Sequence, residues 1–77
     1  MSKGTRIREL RKSKGITQEE MAKLLHTTKQ TISKYENGIV TNIPSDRVEE
    51  MARILETSPE YILGWEQEQI EENNDLI

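Results

Sequence analysis

Apolar residues recur along the chain at spacings of three and four, in short blocks, several of them ended by a glycine, and no segment alternates with a period of two. That pattern predicts five short helices and no strand. Residues 4 to 14 place Ile7, Leu10, Arg11 and Lys14 on one side of a first helix. A second helix over 18 to 25 gathers Met21, Ala22, Leu24 and Leu25, and a third over 29 to 36 offers Ile32 and Tyr35. Val48, Met51, Ala52 and Leu55 make the i, i+3, i+4, i+7 stripe of a core-facing helix over 46 to 55. A short fifth turn runs from Pro59 to Leu63, where Tyr61, Ile62 and the neighbouring Trp65 are expected to close the bottom of the core.

The punctuation between these blocks has a physical reading. Gly15, Gly38 and Gly64 each follow a periodic stretch, where a left-handed C-terminal cap belongs. Thr17-Gln18-Glu19-Glu20 has the spacing of a capping box, and Ser58 precedes a first-turn proline. About a dozen apolar side chains can meet in one centre, which predicts an all-α, compact five-helix bundle over residues 1 to 65. Residues 66 to 77 hold five acids and few apolar side chains, and are expected to be an acidic tail or linker.

Composition narrows the chemistry. At 77 residues the chain is one small domain or a piece of a longer protein. Without cysteine there is no disulfide framework and no thiolate zinc site, and the single His26 cannot assemble a metal cluster. No nucleophile sits with a base and no glycine-rich phosphate loop is present, so neither catalysis nor a cofactor is expected. Apolar runs such as Tyr61-Ile62-Leu63 are far too short for a membrane span or a signal sequence, so no membrane partner and a cytoplasmic location are expected.

The net charge of −3 and a pI near 5.2 point away from a polyanion partner. The distribution reverses that. Residues 1 to 38 carry nine cations against four acids, whereas from residue 39 onward Arg47 and Arg53 face ten acids. An asymmetry of this kind suits a polyanion against the first half of the chain.

Helices two and three are separated only by Leu25 to Thr28, too little for side-by-side packing, so a sharp turn must set them across each other with small Ala22 at the crossing. At 100 degrees per residue, Lys29, Ser33, Gln30 and Lys34 share one face of helix three, opposite Ile32 and Tyr35. This face is polar and free of acids. Gln can pair with adenine, and Lys can donate to guanine O6 and N7.

The run Thr17-Gln18-Glu19-Glu20-Met21-Ala22 together with Tyr35-Glu36-Asn37-Gly38 resembles the helix-turn-helix of Cro/CI-type (XRE family) phage repressors. The resemblance covers residues 4 to 65. It implies a lambda-repressor-like five-helix domain that binds double-stranded operator DNA as a homodimer and regulates transcription. Carried over by position, Lys29, Gln30, and Ser33 or Lys34 resemble the base-reading residues, and Gln18 and Asn37 the phosphate contacts. Thr28 is then expected to cap the recognition helix and approach the DNA backbone. The family also implies a possible second domain beyond residue 77, joined by the acidic segment.

Arg11 and Glu36 make an independent case. Arg11 lies on the core side of helix one and needs a partner, while an unneutralised Glu36 beside a DNA-facing helix would repel phosphate. A partly buried structural ion pair between helices one and three answers both requirements. Two positions depart from the family pattern. His26 stands in the turn where glycine is usual, and a left-handed conformation is expected of it. The loop Gly38 to Pro44 has no cation, so Ile39, Val40 or Ile43 is expected to pack on the core or a partner, with Arg47 able to supply a compensating phosphate contact. The alternative function is a protein-interaction module, antitoxin-like or anti-repressor, on the same scaffold.

Overall fold

Ser2, Thr17, Thr28 and Ser58 each turn a hydroxyl onto a free amide at a helix start, and these caps set four of the five helix origins in the computed structural model, which describes residues 2 to 65. The helices are α1 (Lys3–Ser13), α2 (Gln18–Leu24), α3 (Lys29–Glu36), α4 (Ser45–Ile54) and α5 (Pro59–Leu63). No strand occurs among the described residues. The acidic segment at 66 to 77 lies outside them.

The Thr17 cap is reciprocal. Glu20 donates its backbone N–H to Thr17 Oγ1 at 3.0 Å, and Thr17 N–H donates to Glu20 Oε1 at 2.9 Å, the capping box expected from the spacing. Hydrogen bonds from the Thr17 backbone, and then from its hydroxyl, hold the Glu20 carboxyl below its ordinary value. A depressed folded value stabilises the protein at pH above the unfolded value, and that contribution is lost as pH falls through the folded one. Glu20→Gln should therefore flatten the loss of thermal stability between about pH 5 and pH 3. A melting series over that range checks it, and a slope equal to that of the parent chain would exclude the capping carboxylate as a source of acid sensitivity.

The core is built from every helix. Ile7, Met21, Ile32, Met51, Leu55 and Ile62 are fully buried at its centre, with Ala22, Leu25, Tyr35, Val48 and Ala52 around them. α1 and α2 both pack on α3, and α5 packs on α4 and α1. Two apolar side chains expected inside are outside: Leu24 is 51% exposed and Trp65 57% exposed. Met21, Ala22 and Leu25 already fill the inward arc of α2, which leaves Leu24 on the rim. Of the loop residues, Ile43 alone reaches the core, while Ile39 stands in solvent and Val40 borders it.

One turn is used twice. Leu25 ends α2 at φ −95° and ψ 3°, and Leu55 ends α4 at φ −87° and ψ 2°. His26 and Glu56 then enter the left-handed region at φ 56° and 55°. Thr27 N–H donates back to Ala22 O at 2.9 Å, and Thr57 N–H to Ala52 O at 2.8 Å, before Thr28 and Ser58 cap the next helix. The side chains follow the same rule, since Met21, Ala22, Leu25 and Ile32 each have an identical residue thirty positions on, at Met51, Ala52, Leu55 and Ile62. The fold is thus two helix-turn-helix units, α2–α3 and α4–α5, with α1 packed against both second helices.

Candidate nucleic-acid interface

The two units share a skeleton and differ in what they show to solvent. α3 presents Lys29, Gln30 and Lys34 exposed, with Ser33 half-buried between them. At the matching places α5 carries Pro59, Glu60 and Gly64, and Leu63 where α3 has Ser33. Only the first unit offers a cationic, amide-bearing face. Its opposite side is pinned by Ile32 and Tyr35, which are 0% and 4% exposed, so the helix cannot roll to hide that face.

The one acid of α3 is turned inward. Glu36 is buried, and its carboxylate takes Arg11 Nε at 2.7 Å on Oε2 and Arg11 Nη2 at 3.1 Å on Oε1, a bidentate pair between α1 and α3. Arg11 Nη1 donates in addition to Ile16 O at 2.7 Å, which ties the turn before α2 into the same cluster. Two further groups join Glu36. Gln18 Nε2 donates to Oε1 at 3.0 Å, and Arg8 Nε approaches the same oxygen at 3.6 Å. Gln18, expected at a phosphate, thus has a structural tie beside the groove that it lines with Arg11, Thr17, Glu19 and Lys29. Among the described residues that bond uses one of its amide hydrogens, which leaves the second and the carbonyl oxygen able to meet another group.

Thr28 caps α3 through Oγ1, which accepts Thr31 N–H at 3.2 Å, and it stays exposed at the helix start. Asn37, the C-cap, is exposed and held at both ends of its amide: Oδ1 accepts from Arg8 Nη2 at 2.6 Å, and Nδ2 donates to Ser33 Oγ at 3.1 Å. Arg8 is the residue that sequence reasoning passed over. It entered there only as one of the first half's cations, although its place one turn before Arg11 on the same side of α1 sets it beside the end of α3. Arg47, read as a possible phosphate contact, instead donates from Nη1 to Tyr35 OH at 3.0 Å and is half-buried. Lys3 reaches the α3–α4 loop, donating to Thr41 O at 2.8 Å.

Comparison with known proteins places this arrangement. A helix-turn-helix family model matches residues 7 to 62. The P22 c2 repressor, solved in complex with synthetic operator 9T, is similar with a TM-score of 0.78 and 26% identity, over 84% of this chain and 97% of that one. SinR, described as the master regulator for biofilm formation and solved in complex with DNA, is similar at a TM-score of 0.74 and 30% identity, over 79% of this chain and 97% of that one. SinR in a complex with the SinI protein is similar at 0.75 and 29%, over 86% of this chain and 64% of that one. A search of curated protein sequences returned no match.

Proposed function

The chain belongs to the helix-turn-helix family of Cro/CI-type (XRE) repressors and is a DNA-binding transcription regulator, and from that premise we propose that it is a sequence-specific repressor of phage or prophage type. In this reading a homodimer binds a palindromic operator, with α3 in the major groove and half-sites about 34 Å apart. One observation carries it: α3 exposes Lys29, Gln30 and Lys34 on a face without acids, and its only carboxylate is neutralised in the interior.

The roles divide by reach. Lys29, Gln30, Ser33 and Lys34 face base edges, where paired amide or ammonium donors discriminate among bases. Gln18, Thr28 and Asn37 flank that face and contact phosphates, which fixes register without reading sequence. Selection of duplexes from a random pool should return one preferred half-site, repeated in inverted orientation. Lys29→Ala and Gln30→Ala should each weaken the selected duplex by about 1 to 3 kcal/mol and relax preference at one position. Thr28→Val should weaken all duplexes alike. A pool that returns no preferred sequence would sink the reading.

A second reading is favoured by the bare apolar side chains of Leu24 and Ile39, 51% and 71% exposed, and by the similarity to SinR, which is held by a protein partner in one of its structures. A protein-interaction module on this scaffold would co-purify with a partner and show no salt-dependent DNA binding. A repressor should instead lose affinity with salt, at a slope of about 0.9 per phosphate neutralised.

A further inference from the structure

A phosphate beside Asn37 would meet the wrong end of a helix. Asn37 is the C-cap of α3, where the negative end of the helix dipole disfavours an anion. An amide brings no charge to offset that, and it can present its oxygen as easily as its nitrogen. Arg8 answers both problems. Its Nη2 donates to Asn37 Oδ1 at 2.6 Å and lies 3.5 Å from Glu36 O, so a guanidinium covers the last turn of α3. Because a guanidinium only donates, the end of the amide that meets it is the oxygen, and the NH2 is turned the other way. One hydrogen of Nδ2 goes to Ser33 Oγ at 3.1 Å, which leaves the second able to meet an acceptor from outside. The charge of Arg8 is also unspent. Arg8 and Arg11 share one carboxylate, Glu36, which Arg11 holds bidentately while Arg8 Nε stands off at 3.6 Å. That cluster carries one positive charge in excess. Glu36 and Arg11 are buried, whereas the Arg8 side chain is 35% exposed, so the excess reaches solvent through Arg8. The residues three and four positions away on α1 are Gly4, Thr5, Arg11 and Lys12, none of them acidic, and the adjacent Glu9 points to another face. Among the described residues Arg8 Nη1 makes no hydrogen bond, which keeps its two N–H groups for a ligand.

We propose that Arg8 binds a DNA backbone phosphate jointly with Asn37, as the charged half of an anion site at the end of α3, and that it holds the Asn37 amide with its N–H side toward that phosphate. The inference rests on the DNA-binding reading given above and adds to it a contact supplied by α1. Arg8 Nη1 and the second hydrogen of Asn37 Nδ2 are the donors, and an ionised phosphate oxygen only accepts, so no group in the site is mismatched. The two residues contribute differently. A guanidinium that neutralises a phosphate releases condensed counterions, whereas an amide adds a hydrogen bond and releases none. Binding through Arg8 is therefore written into the salt dependence, and binding through Asn37 is not.

The test is the salt dependence of binding by the full chain to the duplex it selects, at a temperature where thermal unfolding shows every variant to be folded. Arg8→Gln, which can still donate to Asn37, should lower the slope of log K against log salt by about 0.9 for each copy bound, and Arg8→Lys should keep the parental slope. Asn37→Ala should weaken binding at the parental slope, because it removes donors and no charge. If Arg8 only holds α3 in place, Arg8→Gln shifts the line without tilting it, since a smaller active fraction moves the intercept alone. Neutral methylphosphonates, placed at one backbone position at a time, then locate the contact. At one phosphate per half-site the substitution should weaken the parent and leave Arg8→Gln unaffected, and Asn37→Ala should be less sensitive than the parent at that same phosphate. The proposal is overturned if Arg8→Gln keeps the parental slope, or if every methylphosphonate weakens it as much as it weakens the parent. A parent chain that selects no duplex overturns the repressor reading itself, and this proposal with it.

Discussion

Glu36→Gln should lower the unfolding free energy by about 3 to 5 kcal/mol, the cost of breaking a buried pair by removing one partner. The carboxylate is fully covered and accepts both Arg11 contacts together with that of Gln18. An amide of the same shape must turn its NH2 toward one of those donors, and it leaves the Arg11 guanidinium, 8% exposed, without a countercharge. The measurement is a shift of the urea midpoint with an unchanged slope, which reports stability rather than a change in the surface exposed. An unchanged midpoint would show that the cluster is dispensable. Replacing both partners, as in Arg11→Met with Glu36→Leu, should recover much of the loss, because the penalty lies in the orphaned charge and not in the absence of the bond. Lost stability and lost DNA binding should separate in the double variant. It restores the core but drops the ties of Glu36 to Gln18 and Arg8 and that of Arg11 to Ile16 O, so any deficit that remains in binding reports the placing of those groups and not lost stability.

The parts of this fold that were legible in the sequence are those set by local chemistry. Thr17, Thr28 and Ser58 announce helix starts because a hydroxyl beside free amides has one good use, and Gly15, Gly38 and Gly64 announce ends because all three adopt positive φ. The polar face of α3 was legible for a related reason: Ile32 and Tyr35 fix which side is inward, so the other side is known. Leu24 and Trp65 were misplaced because periodicity reports that an apolar arc exists and not where the neighbouring helices stop covering it. The thirty-residue recurrence of Met-Ala-x-x-Leu was readable but becomes compelling only when Glu56 is seen in the conformation of His26. Arg8 was beyond reach for a different reason. Its partner Asn37 lies 29 positions away, and the one local signal that sets this cation apart, its place one turn before Arg11, has meaning only once Arg11 is paired with Glu36.

Gly4 carries the other large effect, and here local propensity predicts the wrong sign. Alanine is better than glycine inside a helix by roughly 1 kcal/mol, so Gly4→Ala in α1 would stabilise an isolated helix. In the folded chain a Cβ at this position would run into the carbonyl oxygen of Tyr35 and lie 2.7 Å from that of Glu36. Both obstacles are backbone, which cannot rotate aside as a side chain would. α1 must then lift from the end of α3, and that movement stretches the Arg11–Glu36 pair and the Arg8–Asn37 bond, which depend on the same close approach. We therefore expect Gly4→Ala to destabilise the protein by about 3 kcal/mol, at the upper end of what overpacking costs, with urea unfolding as the measurement. Operator affinity should fall at temperatures where the variant is still folded, because the end of the reading helix is displaced. A variant as stable as the parent would show that α1 and α3 can separate freely. In that case the orientation of α3 could not depend on α1, and the hydrogen bonds from Arg8 and Arg11 would follow the helix position without setting it.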